Sequence, residues 1–126
     1  MTTVFGAALS AARQAAGLSQ HALARAAGVD ASYVNRLERG ERQAPDAETI
    51  RRFAGALALD QAGTDSLVVA GGGLPAVLAR LGPLDPTVLL LADVLGDAAI
   101  PQRERGDLRR IVVLLARRWR PDLVAD

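Results

Sequence analysis

LSQHALARAAGVDASYVNRLERGER, Leu18 to Arg42, is the stretch that decides the fold. Ser19 is a good helix opener, because its hydroxyl can accept from the free N–H groups of a first turn; a short helix is therefore expected from about Gln20 to Ala27. Leu23 and Ala27 lie one turn apart on its apolar face, and Gly28 ends it at a position where positive φ carries no steric penalty. Asp30 then caps a second helix, expected to run to about Glu38 and to stop near Gly40. Val34 and Leu37 are its apolar residues, Val29 is apolar just ahead of it, and Ala24 is small where the second helix must cross the first closely. These choices together give two short helices across a tight turn.

The flanks extend the same pattern. Val4, Ala8, Leu9 and Ala12 recur at helical spacing ahead of Gly17. Pro45-Asp46 opens a fourth helix with Ile50, Phe53, Ala54 and Leu57 on one face, and Leu59-Asp60 with Leu67-Val68-Val69 suggests a fifth. That helix ends at Gly71-Gly72-Gly73, which reads as a helix end and connector. It is not a phosphate loop, since no strand precedes it and no Lys-Ser/Thr follows. Beyond it the sequence predicts a short helix from Pro75 to Leu81, a second started by Asp85 and Pro86, and a third through Asp107 to Trp119. The third begins at Pro101 or only at Asp107, because Gly106 weakens its middle. Val88–Leu91 and Ile111–Leu115 are apolar nearly all the way round, whereas a monomer of this size needs one buried stripe. Burial on two sides is therefore expected, with a second subunit as its simplest source. The expected architecture is all-α: a five-helix domain over residues 1–72, then a small helical dimerisation and regulatory region over residues 73–126.

Composition narrows the function classes. Half of the 126 residues are apolar but only 3% aromatic, so the core is built from Ala, Leu and Val, which suits helices. There is no cysteine, and the lone histidine, His21, cannot make a metal cluster. Serines are few, Asp93 and Asp97 stand without a histidine or cysteine, and no catalytic constellation emerges; neither an enzyme nor a cofactor is expected. No apolar run approaches the roughly 18 residues of a membrane span, and no signal pattern opens the chain, so a cytoplasmic protein is expected. The fifteen basic residues, all arginine, face fourteen acids. They are spread evenly along the chain, so affinity for nucleic acid would have to come from a local cluster.

On these residues the chain resembles the Cro/C1-type repressors, also called the Xre family, over about Phe5 to Gly71. Pro45 also sits where that family often has a proline. The resemblance implies a lambda-repressor-like helix-turn-helix domain that offers its second motif helix to the DNA major groove. Carried over by position, Gln20 meets the DNA backbone or a base. Ala31, Ser32, Tyr33 and Arg36 fall on the exposed face of the reading helix, with Ser32 and Tyr33 in its first turn, closest to base edges. Arg36, one turn on, suits bidentate pairing with guanine, and Asn35 is a candidate for adenine or phosphate. Arg39 and Arg42 fall where phosphate contacts fix register without reading sequence. Ala31 departs from members with a long polar side chain there, leaving an apolar contact such as a thymine methyl. Arg13 and Glu38 resemble the family's internal ion pair.

One reading module has few base contacts, so a homodimer through the C-terminal helices, reading double-stranded DNA as an inverted repeat, is the expected regulator, and repression the expected outcome. The family also includes antitoxins, which bind DNA and a toxin protein, and the even charge keeps open a protein-interaction module that has lost DNA binding. A regulatory protease is a further expected kind of partner. His21, Arg51 and Arg52 read as solvated. Arg109-Arg110 and Arg117-Arg118 read as the solvated ends of a helix whose apolar middle packs in a dimer.

Overall fold

A computed structural model describes residues 3–122; the ends of the two expected regions, residues 1–2 and 123–126, lie outside the described residues. Among the described residues there are eight helices and no strand. They are α1 (Val4–Ala15), α2 (Gln20–Ala27), α3 (Ala31–Glu38), α4 (Ala47–Ala56), α5 (Gln61–Ala70), α6 (Ala76–Leu81), α7 (Pro86–Gly96) and α8 (Gln102–Ala116). The all-α expectation holds.

Most helices start where a side-chain oxygen is available for an orphan N–H. The hydroxyls of Thr3 and Ser19 accept from the N–H groups of Gly6 (2.9 Å) and Ala22 (3.0 Å). Asp46 and Asp60 accept from Thr49 and Gly63, each at 2.8 Å. Asp85 accepts from Thr87 and Val88, ahead of Pro86 in the first turn. Asp30 departs from expectation. Its backbone is extended and its carbonyl receives Tyr33 N–H at 3.0 Å, but its carboxylate makes no capping bond. Gly28 ends α2 in the left-handed region at φ 73, which lets Val29 N–H return to Ala24 O at 3.0 Å and turns the chain into α3.

The chain divides into two compact units between Arg80 and Leu81. In the first, α2 packs on α3 and α4, α1 on α3 and α5, and α4 on α5. Phe5, Leu9, Leu23, Val34, Leu37, Ile50, Phe53, Leu57, Leu67 and Val68 fill the space between them. The segment after the three glycines stays with this unit, held by the Ala76 N–H donating to Asp65 Oδ1 at 3.1 Å.

The second unit holds α7 and α8. Arg105 Nη1 donates to Leu95 O at 3.2 Å. The α8 helix starts at Gln102 and passes through Gly106 unbroken, which resolves the two possible starts in favour of the earlier one. It ends at Ala116 rather than Trp119, because the chain tightens: Arg118 N–H donates back only three residues, to Leu115 O, and Trp119 N–H to Ala116 O. No described residue from Leu81 onward is buried. Leu89 and Leu90 of α7, and Ile111, Leu114 and Leu115 of α8, are all exposed.

Candidate nucleic-acid interface

The eight residues of α3 separate into two faces. Val34 and Leu37 are fully buried and Glu38 nearly so, while Ser32 and Arg36 are exposed and Asn35 is half-buried. Ser32, Asn35, Arg36 and the cap residue Arg39 follow spacings of three and four, so they share the outward stripe. Burial of Val34 and Leu37 fixes the rotation of the helix about its axis. A register change would place apolar residues in water and arginine in the core.

Two contacts fix the helix along its length. Gly6 of α1 lies against the C-terminal end of α3, and a Cβ there would sit 2.4 Å from Leu37 O and 3.0 Å from Glu38 O. Only glycine permits this approach. Beside it, Arg13 and Glu38 form a two-pronged pair, Nε to Oε2 at 2.8 Å and Nη2 to Oε1 at 2.9 Å. The third arm of Arg13, Nη1, donates to Leu18 O at 2.9 Å, which ties the end of α1 to the start of the motif. The Glu38 side chain is only 6% exposed. Burial pushes its carboxyl up, but the bond from Arg13, together with Gln20, the Arg13 charge and Ser10, outweighs burial and holds it below the usual carboxylate range. The bond to Glu38 likewise raises Arg13 above its ordinary value despite burial.

The candidate contact residues fall into groups. Ser32, Arg36, Arg39 and Arg42 are exposed. Gln20 and Asn35 are half-buried and meet one another, Gln20 Nε2 donating to Asn35 Oδ1 at 3.4 Å. That pairing links the first turn of α2 to the middle of α3, a coupling not foreseen from sequence. Ala31 and Tyr33 are half-buried and pack against the core, so neither is wholly on the outward face expected for it. Tyr33 lies about 100° round the helix from Ser32, which turns its ring partly toward the core. Arg39 meets Glu41 at 3.3 Å in an exposed pair, while Arg42 stands beyond the helix.

Arg52 gains a position that its sequence context did not signal. It is exposed and accepts no buried role, but its Nη1 lies 3.8 Å from where a Cβ on Gly28 would stand, beside the turn between α2 and α3. Only the packing of α4 on α2 brings it there. His21, Arg25 and Arg51 are exposed. A groove of about 230 Å³ between α1 and α5, lined by Ala8, Ala12, Leu59, Gly63, Ser66 and Leu67, contains no ionisable side chain. Among the described residues no group of three His, Cys, Asp or Glu could hold a metal ion, and no helix is long and apolar enough to cross a membrane.

A buried skeleton that presents an exposed Ser, Arg and Arg on a short helix after a glycine turn suits the major groove, into which one α-helix fits. No curated protein and no solved structure matches the chain significantly. The helix-turn-helix domain family matches residues 4–67, just over half of the chain and the whole of α1 to α4 with most of α5. The chain therefore belongs to the helix-turn-helix domain family of DNA-binding regulators.

Proposed function

We infer that this protein is a sequence-specific regulator of the Cro/C1 (Xre) type, a homodimer that reads an inverted repeat in double-stranded DNA and represses transcription from it. The observation that carries the reading is the outward stripe of α3, where Ser32 and Arg36 stand exposed above buried Val34, Leu37 and Glu38. Arg36 pairs with a guanine edge through two parallel N–H bonds, and Ser32 contacts the neighbouring base. Asn35 is held by Gln20 and acts together with it, at the base edge or at the backbone. Arg39 and Arg42 take phosphates and set the register. Tyr33 and Ala31 contribute the outward part of a surface whose inner part belongs to the core, with the Ala31 methyl suited to thymine.

Dimerisation follows from affinity and from the second unit. A single reading helix does not supply the discrimination a genome requires, and two modules on half-sites about one helical turn, ~34 Å, apart roughly double the contacts. A helical unit that leaves Leu89, Leu90, Ile111 and Leu114 exposed gains stability when a partner covers them. Bound over a promoter, such a dimer excludes polymerase. The reaction class is binding alone, with no cofactor.

The test is a mobility-shift titration of the full chain on the DNA upstream of its own gene, at two salt concentrations. A complex that persists against competitor DNA and is lost with Arg36→Ala supports the reading. Absence of any complex at low salt overturns it, because the phosphate contacts are strongest there.

A further inference from the structure

We propose that α8 pairs antiparallel with the α8 of a second copy, along a seam made by Asp107, Ile111, Leu114 and Arg118. The proposal rests on the homodimer reading above and names the surface and orientation that the reading leaves open.

The spacing is the first argument. Within α8, positions 107, 111 and 114 are separated by four and three residues, the alternation that keeps one stripe facing a partner helix, and position 118 follows four residues on, in the turn after the helix. Ile111 and Leu114 in the middle of that stripe are 55% and 62% exposed. The side of α8 that meets its own unit is a different one. There Arg105 reaches Leu95 O, and Leu108 is half-buried.

Charge decides the orientation. The seam runs acid, apolar, apolar, base. Parallel pairing would align Asp107 with Asp107 and Arg118 with Arg118. Antiparallel pairing sets Asp107 against the partner's Arg118 at both ends, and Ile111 against the partner's Leu114 at both central positions. A two-fold axis makes each contact occur twice. Within one chain, Asp107 is engaged by exposed Arg110, a contact of the kind that contributes little and yields readily. Arg118 lies in the turn after α8, its guanidinium 6.0 Å from the centre of the Trp119 ring, which is itself exposed.

The neighbouring side of α8 does not compete as a self-pairing surface. Arg109, Arg110, Val113, Leu114 and Arg117 line a groove of about 330 Å³ there. A two-fold pairing centred on it brings the arginines of one copy against those of the other. Leu114 borders both surfaces, so the seam covers the apolar edge of the groove and leaves its basic rim in water.

The experiment uses the full chain and charge reversal, read by sedimentation equilibrium over a range of concentrations. Asp107→Arg alone and Arg118→Asp alone each place like charges at both ends of the seam and should weaken the dimer roughly ten- to thirty-fold. Mixing the two single variants restores opposite charges at both ends, so a heterodimer near wild-type affinity is expected. Two outcomes overturn the pairing while leaving the homodimer in place: single variants that dimerise like the wild type, or weakened variants that the mixture does not rescue. A wild-type chain that stays monomeric at all concentrations overturns the pairing and the homodimer together, and leaves DNA recognition by α3 to be judged by the mobility shift.

Discussion

Arg36 and Arg42 carry the same charge and are both exposed, but they stand in different places and should fail in different ways. Arg36 lies on the outward stripe of α3, so Arg36→Ala should cost about 1–3 kcal/mol at one base position and relax preference there. Arg42 stands beyond the helix, so Arg42→Ala should weaken all sequences about equally and flatten the salt dependence by about one phosphate contact. Anisotropy titrations against a set of single-base operator variants separate the two patterns. A third residue, Glu38, belongs to the fold. Glu38→Ala leaves the Arg13 guanidinium largely enclosed without its partner and should lower unfolding stability by about 3 kcal/mol. The pH dependence has a definite sign. Because the folded state holds the Glu38 carboxyl below its ordinary value, its contribution is present above that value and is lost as pH falls through the lowered one. Acid titration of the wild type should thus show a loss that Glu38→Ala lacks. The exposed positions of Ser32 and Arg36 were legible in the sequence, because Val34 and Leu37 fix the rotation of the helix. The inward lean of Tyr33 and Ala31 was not, since it depends on the width of the core surface behind them.

At the scale of the element, α3 is set by what crosses it. Gly6 permits α1 to press on the end of α3, and Gly6→Ala forces a methyl to within 2.4 Å of the Leu37 carbonyl. Either the helix shifts or the backbone strains, so a loss of about 1–3 kcal/mol is expected in chemical denaturation. DNA affinity should fall by more than the melted fraction explains, because α3 moves with its support. Nothing in the local pattern around Gly6 marked this contact; a glycine inside an amphipathic helix acquires its meaning only from the helix that crosses it. The starts of α2, α4, α5 and α7 were by contrast written locally, in Ser19, Asp46, Asp60 and Asp85, whereas the Thr3 cap of α1 emerged only in the fold. Asp30 was the exception, with the sequence of a capping residue and no capping bond. In α8, Gly106 did not break the helix: nothing lies within 4 Å of where its Cβ would be, so its small size serves no packing need and its cost is that of propensity alone, about 1 kcal/mol.

At the scale of the whole molecule, the two units differ in kind. The first contains every buried residue among those described, and the second contains none. A chain truncated after Arg80 should therefore keep the cooperative melting of the first unit. It should also lose dimerisation and bind operator DNA at least tenfold more weakly, since one module then pays alone for recognition. Calorimetry with sedimentation on the truncated chain checks both statements. The strongly apolar Val88–Leu91 and Ile111–Leu115 segments announced a need for cover, and the second unit taken alone does not meet it. The sequence could not name the partner, because exposed apolar area is non-directional; charge order along α8 supplies the direction. Recognition of DNA by α3 is the claim on which the rest depends. It is tested most directly by selecting bound fragments from a random double-stranded pool with the full chain, wild type and Arg36→Ala, and sequencing them. The account predicts a two-fold symmetric site with half-sites about one helical turn apart, and loss of preference at one base pair in each half-site with Arg36→Ala. Recovery of unselected sequence from the wild type, or of an unchanged site from Arg36→Ala, would contradict it.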